Sequence, residues 1–168
     1  MDNFSGHENM DHSQEGTPKE YAKFALVIFG ISLVSWVYAS FGIVNFMTAF
    51  MGVFFVVFAI FKLLDLPGFV SSYIGYDLIA KRSTAYAYLY PFIELGLGVA
   101  YLGNAPTEIN WVTLVIMLIG AIGVQKQLLR GSKIKCACLG TFIKLPLTTV
   151  SLTEDLLMAA MAFYTIIK

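Results

Sequence analysis

The two cysteines of this chain, Cys136 and Cys138, are separated by a single residue. Two thiols at this spacing can form a disulfide reversibly, exchange electrons with a partner, or bind one soft metal ion. A disulfide across so short a loop is strained and therefore labile, and Lys133, Lys135 and Lys144 favour the reactive thiolate form. The alternative is a pair of small residues that only pack. The pair is our first candidate for catalysis.

Binding of a soft metal ion is the second interpretation of the same pair. Two thiolates suit copper, zinc or another soft ion such as mercury, but two ligands seldom complete a site. The missing ligands would come from the N-terminal tail or the last apolar segment, which offer His7, Met10, His12, Met158 and Met161. A transported ion would then move past Glu94.

Glu94 lies inside a long apolar segment, where a carboxylate is costly unless it is protonated or partnered. Helical spacing places it on one face with Tyr86, Tyr90, Leu97 and Tyr101. Tyr90 is its expected hydrogen-bond partner. Its candidate roles are proton relay, quinone contact or cation ligand, and the structural alternative is a neutral carboxyl group between helices.

Two further carboxylates, Glu154 and Asp155, precede the last apolar segment. They could shuttle protons, coordinate a cation, or stabilise a helix N-terminus. Ser151-x-x-Glu154 is a capping-box pattern, so the last helix could begin there.

The elements that carry these residues are predicted to cross a membrane. The chain is 58% hydrophobic and 13% charged, with a mean hydropathy of +0.74, against about 45–50% and about 25% in soluble domains. Net charge is zero, which gives no electrostatic attraction to nucleic acid. We expect an all-α bundle of about five spans, near Phe24–Val44, Phe46–Leu66, Ala85–Leu102, Trp111–Leu129 and Leu145–Ile167.

Shorter segments complete the predicted topology. Residues 1–20 form a polar tail that we expect to be disordered, with a helix starting at Thr17-Pro18. Asn45 separates the first two spans, and Phe69–Ala80 is predicted to be an interfacial helix. Four glycines are expected to let helices pack closely: Gly96, Gly98, Gly120 and Gly123.

Charge predicts the orientation of this bundle. With five spans, ten of the eleven lysines and arginines flank one face, and only Lys168 lies on the other. The positive-inside rule makes the N-terminus and the Cys136/Cys138 loop cytoplasmic. Cytosol is reducing, so a catalytic or metal-linked pair is favoured over a permanent disulfide.

Several stretches resemble the MauE/DoxX-like redox-associated membrane proteins, a family named for methylamine utilisation. They are Tyr76–Arg82, Tyr88–Leu95, the Cys136-Ala137-Cys138-Leu139-Gly140 element, and Val150–Leu157 ahead of the last helix. The resemblance implies a four-helix membrane domain over residues 46–168, with residues 21–45 as an additional N-terminal helix.

The resemblance also implies a function, which is support of disulfide formation while partner proteins mature. In this interpretation Cys136 and Cys138 are the redox pair of a bacterial inner-membrane protein, and Glu94 completes the candidate site. Electrons would pass to or from a thiol protein, with a membrane quinone as the candidate cofactor. A metal-handling membrane protein and a scaffold without turnover are the alternatives.

Overall fold

The computed structural model describes residues 18–129 and 147–168, and every regular element within these ranges is an α-helix. This confirms the predicted all-α polytopic bundle. In chain order, the helices are α1 Pro18–Ser40, α2 Phe46–Leu64, α3 Leu66–Tyr73, α4 Thr84–Leu102, α5 Ile109–Leu129 and α6 Leu147–Ile167.

Three of the described helices have both the length and the composition to cross a bilayer. The stretches are Tyr21–Ser40, Phe46–Leu64 and Ile109–Lys126, with mean hydropathies of 1.8, 2.3 and 1.6. Helices α4 and α6 have comparable lengths of 19 and 21 residues, which correspond to about 28 and 31 Å, but they contain more polar residues. The lipid-facing character is clearest in α1, whose span is only 11% buried.

Short polar caps separate the first helices. Helix α1 begins at Pro18, as predicted, but ends at Ser40, and a turn with Gly42 at φ 76° leads to α2. Asn45 caps α2, because its side chain accepts a hydrogen bond from the Thr48 backbone N–H at 2.9 Å. The Tyr38 hydroxyl donates to the Leu102 carbonyl at 2.8 Å, which fixes the end of α1 to the end of α4.

The predicted interfacial helix has different bounds in the structure. Asp65 ends α2 and caps α3, which begins at Leu66 and stops at Tyr73. Residues 74–83 form turns and not the helical continuation expected up to Ala80. The reason is Asp77, whose buried carboxylate accepts hydrogen bonds from the backbone N–H groups of Ile79 and Ala80 at 2.9 and 2.7 Å.

The last helix also starts earlier than its capping pattern suggested. Helix α6 begins at Leu147, so Ser151 lies inside it and a start at Ser151 is wrong. The longer alternative, a span close to Leu145–Ile167, agrees with the observed bounds. The carboxylates Glu154 and Asp155 consequently lie in the third turn of α6 and not at its N-terminus.

Glycines determine how closely the helices approach. Helices α2 and α4 pack against each other, and a methyl group at Gly98 would lie 2.8 Å from the backbone nitrogen of Val56. On α5, a methyl group at Gly123 would lie 2.8 Å from the Tyr76 carbonyl oxygen. These contacts and that of Gly120 confirm the predicted role, whereas Gly96 is exposed and has open space around it.

Candidate functional site

A buried ion pair joins the two central helices of the bundle. Lys62, in the last turn of α2, donates to both carboxylate oxygens of Glu94 at 2.5 and 2.6 Å. The two residues are 5% and 4% exposed. Each is the only charged residue of its helix, so the pair satisfies two charges that would otherwise be isolated among apolar side chains.

Aromatic rings enclose the ammonium group of this pair. The Lys62 nitrogen lies 5.0 Å from the Tyr90 ring centroid and 5.6 Å from that of Phe69, within the range of cation–π attraction. Tyr73 stacks 4.9 Å from Phe69 and 4.7 Å from Tyr90. This shell covers one side of the cation and packs α3 against α4.

The Tyr73 hydroxyl is an unusual member of this shell. The residue is 4% exposed, and its hydroxyl has no hydrogen bond of good geometry among the described residues. The Tyr86 hydroxyl lies near the Tyr73 hydroxyl, but the two do not have the geometry of a hydrogen bond. Burial raises the pKa of Tyr73 far above its ordinary value, so the phenol stays protonated and can donate.

Helix α6 brings a second carboxylate towards the ion pair. The Asp155 carboxylate packs on α5, where a methyl group at Gly120 would lie 3.0 Å from its Oδ2. Lys62, Glu94 and Asp77 all act electrostatically on Asp155. Glu154, its neighbour, is 8% exposed. In the part of the chain that the structure describes, three carboxylates therefore lie in this region beside one buried lysine, and Glu154 is next to one of them in the chain.

A small cavity of about 20 Å³ lies between these groups. It is lined by Lys62, Phe69, Tyr73, Tyr76, Tyr90, Gly120, Val124 and Asp155. A cavity of this size holds about one water molecule. Five helices and the 74–83 turn thus converge on one polar region. It lies in the half of the bundle towards the end where α2 and α5 end and α4 and α6 begin, and we call this half the polar end.

The structure describes only part of the predicted site. Cys136 and Cys138 lie outside the described residues, as do His7, Met10 and His12. The chain that contains the two thiols connects the end of α5, at Leu129, to the start of α6, at Leu147. Both of these helix ends belong to the end of the bundle that contains the ion pair.

The partner of Glu94 differs from the predicted one. Its carboxylate is bound by Lys62 and not by Tyr90, because α2 runs antiparallel to α4 and places a cation at the same depth. The sequence contained a signal for this ion pair. Lys62 and Glu94 are each an isolated charge in an apolar segment, and two such charges of opposite sign are expected to pair. The predicted face of α4 is confirmed, with Tyr90, Leu97 and Tyr101 buried beside Glu94.

The metal interpretation gains no support from the described residues. None of them forms a group of three or more histidine, cysteine or acidic side chains suited to a metal ion. Met158 is fully buried in the hydrophobic core and Met161 packs against that core. The thiol ligands themselves were not described, so metal binding at Cys136 and Cys138 stays a prediction.

Comparison with known proteins identifies the family. The family model described as "Methylamine utilisation protein MauE" matches residues 22–168. The match includes nearly all of α1. None of the stretches that carry the resemblance in the sequence lies in this helix. No curated protein and no solved structure matches the chain. On the family match and its apolar helices, the chain belongs to the MauE family of membrane proteins associated with methylamine utilisation.

Proposed function

We propose that this MauE-family protein is a thiol–disulfide redox protein of the bacterial inner membrane, with Cys136 and Cys138 as its reacting groups. The observation that carries the proposal is the cysteine pair itself. It comprises every thiol of the chain, and the connection that contains it is anchored at both sides on the polar end of the bundle. The family match supports a role in methylamine utilisation.

The proposed exchange proceeds in two balanced steps. A partner thiolate attacks the Cys136 sulfur of the Cys136–Cys138 disulfide, and Cys138 leaves as a thiolate. The second partner thiolate then attacks the partner sulfur of this mixed disulfide and releases Cys136. Two electrons have moved from the partner dithiol to this protein, and the partner has gained a disulfide.

Reoxidation of the two thiols requires a two-electron acceptor. We propose a membrane quinone, which would take two electrons and two protons and become a quinol while the disulfide forms again. Glu94 does not act as a base in this scheme, because both of its oxygens accept hydrogen bonds from Lys62. Its proposed role is to hold Lys62 in place within the polar end of the bundle.

Redox titration of the purified, lipid-reconstituted protein tests the proposal. In glutathione buffers of graded potential, alkylation should show both thiols converting together along a two-electron curve, about 30 mV per tenfold change in the equilibrium constant. The Cys138→Ser variant should trap a reducible mixed disulfide with a model dithiol protein supplied in its oxidised form.

The matched control is the Cys136→Ser/Cys138→Ser double variant, which should trap nothing. Thiols that titrate one at a time, or a Cys138→Ser variant that forms no mixed disulfide, would contradict the proposed chemistry.

A further inference from the structure

Carboxyl groups outnumber cations among the buried groups that the structure describes in the polar end. Among the described residues, Lys62 is the only buried lysine or arginine, while Asp77, Glu94 and Glu154 are buried and Asp155 is directed at the same region. Uncompensated charge is strongly disfavoured in a medium of low dielectric constant. Protonation of one of these carboxyl groups would lower that cost.

Position relative to the cavity separates Asp155 from the other carboxylates, because it is the one carboxylate among the described residues that lines the cavity. Glu94 is bound at both oxygens by the Lys62 ammonium group. Asp77 accepts hydrogen bonds at Oδ1 from two backbone N–H groups and does not line the cavity. Glu154 does not line the cavity. Asp155 lines the cavity. The positive charge of Lys62 also acts on the Asp155 carboxylate, while Lys62 donates its hydrogen bonds to Glu94.

The cavity supplies a second and independent observation. Tyr73 lines the cavity, and its buried hydroxyl lacks a hydrogen-bond partner of good geometry among the described residues. A water molecule needs two to four polar partners to occupy an internal site. Tyr73, Lys62 and Asp155 offer a phenol, an ammonium group and a carboxyl group around a volume that fits one water molecule.

We propose that this cavity is a proton-exchange site, in which Asp155 carries the exchangeable proton and a water molecule connects it to Tyr73 and Lys62. The Lys62–Glu94 pair remains ionised beside it as a fixed counter-charge. The site goes beyond the thiol chemistry proposed above, and it stands whether or not Cys136 and Cys138 react. Its ligand is a proton, transferred through water to a carboxylate.

The groups that set the affinity of Asp155 for this proton come from each neighbouring element. The charged groups that act on Asp155 are Lys62 on α2, Glu94 on α4 and Asp77 in the turn. Tyr73, Tyr76 and Tyr90 are the phenols that line the cavity. On α5, the lining residues are Gly120 and Val124, which do not titrate.

Infrared spectroscopy of the lipid-reconstituted, full-length protein during a pH titration tests this assignment directly. The protein should show a carbonyl stretch from a protonated carboxyl group that disappears as pH rises and shifts in heavy water. Asp155→Asn should remove this band, while Glu94→Gln should retain it. Glu108→Gln, at an exposed position at the other end of the bundle, is the control and should leave the band unchanged.

The Tyr73→Phe variant keeps the ring and removes only the hydroxyl group. Loss of a donor to the Asp155 carboxylate through water should move the titration midpoint of the band to higher pH. A band that survives Asp155→Asn, or one that is lost in Glu94→Gln, would overturn the assignment. Because this readout needs neither thiol, failure of the proton site and failure of the proposed redox chemistry are distinguishable.

Discussion

At the scale of single residues, the contact between Lys62 and Glu94 matters most to the stability of the fold. Each would be an isolated charge in an apolar helix if its partner were removed. The two hydrogen bonds of 2.5 and 2.6 Å and the rings of Phe69 and Tyr90 replace the water that both groups lose. The pair therefore specifies how α2 and α4 align.

The Lys62→Met variant should lower the free energy of unfolding by about 3–5 kcal/mol, because it leaves Glu94 as an unpaired buried carboxylate. Replacing both residues, in Lys62→Met/Glu94→Leu, should recover most of this loss, since apolar side chains of similar volume often substitute for a buried pair. Denaturant unfolding in mixed micelles, followed by tryptophan fluorescence, provides the measurement.

Lys126→Met is the matched control for this comparison. Lys126 is an exposed lysine in the last turn of α5, so its replacement should change stability by no more than about 0.5 kcal/mol. If Lys62→Met and Lys62→Met/Glu94→Leu lower the free energy of unfolding equally, the ion pair does not account for the contribution of Lys62 to stability.

The sequence predicted the importance of Glu94 but not the identity of its partner. A carboxylate within an apolar segment is recognisable from the cost of burying it. Its partner depends on which helix lies beside α4 and at what register, and this is a property of tertiary packing. Tyr90 was the local candidate at one helical turn, whereas Lys62 is 32 residues away in the chain.

At the scale of helices, the approach of α2 to α4 depends on two glycines. Gly52 and Gly98 face each other across the interface, and a methyl group on either would lie within 3.2 Å of a backbone oxygen on the other helix. Close backbone contact of this kind stabilises helix pairs in lipid, where apolar side chains gain little by leaving the acyl chains. The same approach brings Lys62 within reach of Glu94.

Gly98→Ala should destabilise the protein by about 1–3 kcal/mol, because the added methyl group meets the backbone of α2 and forces the helices apart. Gly96→Ala, two residues away on the exposed side of the same helix, should be neutral or stabilising by up to about 1 kcal/mol. The measurement is the thermal stability of both variants in the same detergent. Equal destabilisation would point to helix propensity and not to packing.

Element existence was predictable from the sequence, and element boundaries less so. Every predicted span has a helical counterpart in the structure, because long apolar segments in lipid must satisfy their own backbone hydrogen bonds. The end of α3 was missed because Asp77 redirects the backbone. The predicted span Leu145–Ile167 agrees with α6, whereas the alternative start at Ser151 is wrong because its capping pattern lies inside a helix that begins at Leu147.

At the scale of the whole molecule, the two ends of the bundle differ in chemistry. One end gathers Lys62, Glu94, Asp77 and Asp155. At the other end, the Tyr101 hydroxyl lies 2.9 Å from both Asn110 Oδ1 and Thr113 Oγ1, so neutral hydrogen bonds join α4 to α5. Only the first end combines titratable groups with the connection that contains both thiols.

The family and the membrane character were predictable from the sequence because both depend on local patterns. The polar end was not, since it is assembled from six separate parts of the chain: α2, α3, the 74–83 turn, α4, α5 and α6. The geometry of the thiols lies outside the described residues and stays a prediction. The orientation of the molecule in the membrane is also open to a direct test.

Thiol accessibility should reveal which compartment the polar end faces. Lys81, Arg82 and Lys126 are exposed at this end, and the connection from α5 to α6 adds further basic residues. The positive-inside rule therefore predicts that this end faces the cytoplasm. A membrane-impermeant maleimide should therefore label Cys136 and Cys138 in inverted vesicles and not in intact cells. Glu108→Cys, in a Cys136→Ser/Cys138→Ser background, should show the opposite pattern because residue 108 is exposed at the other end. Labelling of Cys136 and Cys138 from outside intact cells would reverse the orientation and place the redox partner in the periplasm.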